Sequence, residues 1–285
     1  MTAPGGTPAR DKLQLRLALR DARTKRKLTQ KDVADAMEWS TSKLVRIEGG
    51  NVGISVTDLK ALLFQYEITD EAEVGRFVEL ARAAKKAAWW QPYRDYFPPE
   101  FITFLGLEAS SIRLRQFQQL VVPGLLQAPE YIRVLMQLGS PPPEQQERGF
   151  AIRTQRQKLI ADGGPEMFFI IDESVLFRQI GDQSVMRAQL LHLKELAARS
   201  NISIRILPFS VGVHPGMRES FEIFELSEES SNYALQIEGI LRDRLFPEPS
   251  SETARYVDIF FRLEKLALPK EETPGIIDER LRHMT

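Results

Sequence analysis

Two short groups of polar side chains carry the most suggestive chemistry in this sequence. Thr29, Gln30 and Lys31 form one group; Ser40, Thr41, Ser42, Lys43 and Arg46 form the other. Each opens a stretch that patterns as a short helix. Thr29-Gln-Lys-Asp32 has the spacing of a capping box, in which the Thr29 hydroxyl takes the Asp32 amide, and Ser40 is a second N-cap. Hydroxyls, an amide and cations at two successive helix starts suit contacts to phosphates and base edges. Arg46 can donate two parallel bonds to O6 and N7 of one guanine. Thr41 and Ser42 read bases weakly, although a threonine methyl can touch a thymine methyl. Thr29, Gln30 and Lys31 suit phosphate, where contacts position rather than read. The run Lys25, Arg26, Lys27 either adds salt-dependent affinity or simply faces water.

Other chemistry finds little support. There is no cysteine, so no disulfide framework or thiolate metal site is expected. His192, His214 and His283 have no metal-ligand spacing, and no Gly-x-Ser-x-Gly nucleophile site is present. Gly163-Gly164 and Gly181 do not build a phosphate loop. Asp172-Glu173 are adjacent in a strand pattern, so they point to opposite faces and suit a cap better than a carboxylate pair. His214, in Val-Gly-Val-His-Pro-Gly, leaves two readings. It presents its imidazole to a ligand or partner, or it bonds the backbone of a turn; the second is favoured. No catalytic residue, no metal site and no cofactor are expected.

The elements around the polar groups read as a compact set of helices. Residues 10–26 place Leu15, Leu19 and Ala22 on one face. The second helix, to about Met37, turns Val33, Ala34 and Met37 inward. The third, over 41–48, does the same with Leu44 and Ile47, and Gly49-Gly50 stop it. Ser55 caps a fourth helix through Tyr66. Asp70 caps a long fifth, with Val74, Phe77, Val78, Ala81 and Ala84 on its stripe. Two short helices joined by a tight turn make a helix-turn-helix, with small Ala34 where they cross closest.

Charge supports this organisation. The 285-residue chain has a net charge of −1, but residues 10–66 hold 12 Lys and Arg against 7 Asp and Glu. The remainder is acidic. A basic head on an acidic body suits nucleic-acid binding by the head alone.

The stretch Leu28-Thr-Gln-Lys-Asp-Val-Ala-Asp-Ala-Met-Glu-Trp-Ser-Thr-Ser-Lys-Leu-Val-Arg-Ile-Glu-Gly-Gly50 resembles the Cro/phage-repressor (Xre-type) helix-turn-helix family. The resemblance implies that Arg23 pairs with Glu48, fastening the first helix to the recognition helix. The family often has glycine where this chain has Lys27 and Glu38; either these two residues take positive φ there at a modest cost or the turns differ slightly.

Beyond residue 88 the pattern changes. Trp89-Trp90-Gln-Pro92 and Pro98-Pro99 break the fifth helix. Helices are expected over 101–119, 144–161, 183–199 and 251–266, and residues 121–135 read as a turn and another helix. Strands are expected over 167–171 and 202–207, with 220–226 and 233–238 as an antiparallel pair. Residues 268–285 read as a polar tail with a small apolar patch at Ile276, Ile277 and Leu281. The division is therefore a loose tail at 1–9, a helix-turn-helix domain at 10–68, a linking helix at 69–92, a regulatory and dimerisation domain at 93–267, and a C-terminal tail at 268–285. The fold class is multidomain: an all-α head and an α+β body with a small antiparallel sheet.

Residues 89–266 resemble the C-terminal domain of WhiJ-like regulators of filamentous actinobacteria. The matching pieces are Trp89-Trp90, Gly106-Leu-Glu-Ala109, Val122-Pro-Gly-Leu-Leu-Gln127 with Tyr131, and Leu207-Pro-Phe-Ser-Val-Gly-Val-His-Pro-Gly216. The resemblance implies a small acidic partner protein encoded nearby, and in some members an antitoxin-like role. No activity is implied.

Two function classes follow. One is a sequence-specific transcriptional regulator that binds a double-stranded DNA operator, with a body for dimerisation and for a ligand or partner protein. The other is an enzyme or small-molecule sensor with an accessory DNA-binding head. The first needs a basic head and a catalytically empty body. A homodimer is expected because such readers match two half-sites about 34 Å apart. No apolar run approaches the ~18–20 residues of a membrane span, and the expected location is the cytoplasm.

Overall fold

The structure is a computed structural model that describes residues 8–49, 52–85, 88–138, 140–160, 164–228, 232–239 and 242–284. Residues 1–7 of the expected tail, Gly50 and Gly163 lie outside them. The chain divides into two compact units, one running to Ile102 and the other beginning at Thr103.

The first unit is helical: α1 Pro8–Lys25, α2 Gln30–Ala36, α3 Thr41–Glu48, α4 Val56–Gln65 and α5 Glu71–Ala83. Four of the five start on a side-chain cap. Thr29 and Asp32 close a reciprocal capping box on α2. Ser40, Ser55 and Asp70 each accept a backbone amide at the third position of α3, α4 and α5. Leu15, Leu19, Val33, Leu44, Leu59, Leu62, Tyr66 and Phe77 make one core between them. The region expected to be a linking helix is therefore partly core: α5 buries Phe77, Val78, Leu80 and Ala81 there.

Three of these helices end in the same way. Lys27, Glu38 and Glu67 adopt φ of 56°, 54° and 57°. The next residue donates its amide five residues back: Leu28 to Arg23, Trp39 to Ala34 and Ile68 to Leu63. This is a Schellman turn, normally built on glycine, and its apolar follower packs on the core. Lys27 and Glu38 hold the left-handed turns that the family pattern assigns to glycine.

The second unit wraps helices around a six-stranded mixed sheet. Its helices are α6 Pro99–Ser110, which the unit boundary crosses, α7 Pro129–Met136, α8 Pro143–Arg156, α9 Ser174–Phe177, α10 Gln183–Ala197, α11 Ser251–Leu266 and α12 Thr273–Arg282. Its strands are β1 Arg113–Gln118, β2 Glu166–Asp172, β3 Ile202–Leu207, β4 Phe221–Glu225, β5 Tyr233–Ile237 and β6 Arg244–Phe246, ordered β3-β2-β1-β4-β5-β6. β1, β2 and β3 run parallel through helical crossovers; β4, β5 and β6 continue as an antiparallel meander. One face packs Phe117, Ile170, Phe221, Ile223 and Leu235 under Phe260 and Leu263 of α11.

The α+β class is as expected, but the sheet is larger than the small antiparallel one expected, and half of it is parallel. The difference begins at 101–119, which is not one helix. Ser110 and Ser111 turn their hydroxyls back onto the carbonyls of Gly106 and Leu107, and the chain then enters β1. β1 is the hinge of the sheet, parallel to β2 on one side and antiparallel to β4 on the other.

The expected tail is also structured. Leu268 donates its amide to Ile206, and the Thr273 hydroxyl donates to Ile204. Thr273 and Ile277 are fully buried. Residues 268–282 thereby cover the open edge of β3, which would otherwise present unpaired backbone groups. β6 is too short to leave a pattern in the sequence.

Candidate nucleic-acid interface

The interface rests on how α3 is held. Leu44 and Ile47 sink into the core beside Val33 and Ala34, whose missing bulk lets α2 and α3 approach. Glu48 closes the helix and is buried. Arg23 of α1 donates to it from Nε at 2.7 Å and from Nη2 at 3.0 Å, and its Nη1 reaches the Leu28 carbonyl at 2.7 Å. Glu48, hydrogen-bonded to this guanidinium, holds it above the usual arginine range. Arg16 adds a second tie, from Nη1 to the Gly49 carbonyl at 3.3 Å. The buried Tyr66 hydroxyl lies in the same neighbourhood; burial, followed by the Glu48 charge, pushes it up.

Against this frame the polar residues fall into two sets. Those of the first set are engaged within the domain. Thr29 Oγ1 donates to Asp32 at 2.6 Å while accepting its amide, and this hydroxyl holds the Asp32 carboxyl below its usual value. Gln30 donates Nε2 to Glu48 at 2.8 Å, so its side chain is tied to the buried carboxylate. Ser40 caps α3 through the Lys43 amide. Lys43 turns aside to Asp58 at 3.3 Å and lies 3.7 Å from the centre of the Trp39 ring. Lys25 pairs with Asp21, and Arg26 pairs with Glu67 while donating to the Tyr66 carbonyl.

The second set faces outward. Lys31, Thr41, Ser42 and Arg46 are exposed, as is Lys27. The Arg46 guanidinium has no partner among the described residues. Thr41, Ser42, Val45 and Arg46 recur at one, four and five residues' spacing, so they line one strip of α3 opposite its buried face. A rigid helix with hydroxyls, a fork-shaped cation and an open outer strip can enter a major groove and offer donors to base edges.

The second unit holds a polar cluster that sequence reasoning missed. Arg156 donates to Glu108 from Nε at 2.8 Å and from Nη2 at 2.5 Å, both residues buried. Burial opposes the Arg156 charge, and Glu108 more than offsets it. Arg153 donates to Gln127 at 2.9 Å; burial, then the neighbouring Arg156, pushes it down to about 10. Gln118 donates to Glu238, which is exposed. Glu222 is buried with one oxygen lacking a partner, and burial followed by the charge of Glu108 raises its carboxyl well above the usual range. The one sequence signal was a set of polar residues at alternate strand positions, Gln116, Gln118 and Glu222, where an apolar face was due.

His214 is not presented to solvent. It is largely buried beside Asp172 at 3.7 Å and edge-on to Phe117, and its Nδ1 has no partner. Among the described residues no backbone group bonds the imidazole, and its side chain is 8% exposed. Burial lowers its proton affinity, with Asp172 opposing. His192 and His283 lie elsewhere, on α10 and just past α12. Asp172 and Glu173 each accept a backbone amide, from Ser174 and Phe209 respectively. Among the described residues no group of three or more His, Asp or Glu side chains is arranged to hold a metal. No helix among them is long and apolar enough to cross a membrane.

Comparison with known proteins fits this division. Residues 14–77 match the model of a helix-turn-helix domain. Residues 101–279 match the model of a domain of unknown function, DUF5753. No curated protein matches the chain, and no solved structure does.

Proposed function

This chain belongs to the DUF5753 family and carries a helix-turn-helix domain ahead of that domain; from this premise we propose that it is a sequence-specific transcriptional regulator of the Xre type. α3 docks in the major groove of a double-stranded operator, with Arg46 as its main base reader and Thr41 and Ser42 beside it. Lys31 and Lys27 add phosphate contacts. Thr29, Ser40, Gln30 and Lys43 act mainly by setting the helices, since each is engaged within the domain. The observation that carries this reading is the Arg46 guanidinium, exposed and without a partner among the described residues, on a helix anchored at its C-terminal end by Arg23 and Glu48.

The C-terminal domain is proposed to be WhiJ-like, to join two chains so that two heads reach two half-sites, and to receive a small partner protein or ligand. It has no catalytic role in this reading, and the protein works in the cytoplasm, on the chromosome. Selection of duplexes from a random library by the full-length protein, beside size measurement of the complex, tests both parts. Enrichment of a two-fold site bound by two chains supports the reading. Enrichment of no sequence contradicts it.

A second reading, a small-molecule sensor, is favoured by one observation. Glu222 and Gln118 are buried with an unpartnered oxygen each, beside the Glu108–Arg156 pair. A ligand that donates hydrogen bonds would satisfy both.

A further inference from the structure

The recognition helix carries an apolar residue that its own fold does not use. Val45 of α3 is 44% exposed, while Leu44, Ile47 and Glu48 fill the buried face. A β-branched side chain on the solvent side of an eight-residue helix is a poorer helix former than alanine or lysine, and here it stands outside the buried face of Leu44, Ile47 and Glu48. Val45 sits directly before Arg46 and one turn after Thr41, inside the strip that faces outward.

We propose that Val45 is a specificity-determining residue that reads a thymine through its 5-methyl group. This rests on the DNA-reading role proposed above. The major groove distinguishes thymine by an O4 acceptor and that methyl, and the methyl is the largest apolar group on the base edges. An isopropyl group has no hydrogen bond to offer, so the thymine methyl is the base-edge group that complements it best. The strip then carries two unlike readers, a guanidinium for guanine and an aliphatic group for thymine. A half-site bound by α3 contains both.

Duplexes selected by the full-length protein supply the probe. Each thymine in the selected site is replaced in turn by uracil, which removes the methyl and nothing else. Wild-type protein loses about four-fold in affinity at one thymine, the size expected for burying one methyl group. Val45→Ala binds the thymine and uracil duplexes equally at that position, and its thermal unfolding midpoint is no lower than that of wild type. Arg46→Ala keeps the thymine preference and loses discrimination at a guanine. A wild type indifferent to uracil at every position overturns the assignment while leaving the DNA-reading role intact. So does a Val45→Ala variant that retains the difference. Enrichment of no sequence at all overturns both.

Discussion

Arg23 on α1 and Glu48 at the end of α3 form a two-bond ion pair with only 11% and 3% of their side chains exposed. The pair links the first helix to the recognition helix, and Gln30 of α2 joins it through the same carboxylate. One buried group thus sets the mutual geometry of all three helices. Removing Glu48 strands the Arg23 guanidinium in the interior. Glu48→Ala should destabilise the head by about 3 kcal/mol, whereas an apolar exchange of both partners should cost much less. Hydrogen exchange at the amides of α1 to α3 in the full-length chain measures both. Equal losses in the single and double variants would show that the pair is not the fastener.

The left-handed turns give a second prediction. Lys27 and Glu38 hold positive φ without being glycine, and each side chain is exposed. Lys27→Gly and Glu38→Gly should each stabilise the head by about 0.5 kcal/mol, the relieved strain being partly offset by chain entropy. Denaturation midpoints check this. Loss of stability in both variants would mean that the Schellman turns are unstrained as they stand.

The buried carboxyl of Glu222 makes stability depend on pH. Its proton affinity is raised in the folded state by burial and by Glu108, with Arg156 opposing and Glu238 adding to the rise. The charges acting on it are Glu108 from α6, Arg156 from α8 and Glu238 after β5, and Gln116 of β1 is its cross-strand neighbour. A group with a raised folded pKa binds its proton more tightly folded than unfolded. Its contribution is fully present below the unfolded value and is lost as pH rises through the folded value. Glu222→Gln cannot lose a proton. It should therefore gain on wild type as pH rises from about 4.5, with a constant advantage once wild type is fully ionised. Unfolding midpoints across that range, compared between the two proteins, read it directly. A difference that does not change with pH contradicts it.

Deleting the segment from residue 268 onward should expose the edge of β3 that Leu268 and Thr273 cover. The truncated protein should self-associate through that edge, because an open strand is a template for pairing. Light scattering at matched concentration tests this. A monodisperse, equally stable truncation would assign the segment no such role.

These cases show which parts of the molecule were legible in the sequence. The α2–turn–α3 unit is written in local signals. Thr29 with Asp32, Ser40, and the inward Val33, Leu44 and Ile47 act within a few residues of one another, and the structure realises all of them. Lys27 and Glu38 were visible only through a family pattern, and Glu67, which makes the same turn, left no mark at all. β1 read as helix because nothing within Arg113–Gln118 declares its two partners; those come from β2 and β4, far along the chain. Residues 268–282 read as a tail because the edge that orders them lies on β3. Glu108, Arg156 and Glu222 were missed for a similar reason. Each looks like an ordinary surface charge on its own element, and only the sheet brings them together.

The central claim is that α3 reads DNA through Arg46. Genome-wide occupancy of the wild-type protein beside Arg46→Ala tests it most directly. The substitution removes an exposed side chain without a partner among the described residues, so the variant should fold and melt as wild type does. It should lose about 1–3 kcal/mol of discrimination at one guanine and redistribute away from the wild-type sites. A variant that occupies the same sites with the same preference at every base pair would contradict the account.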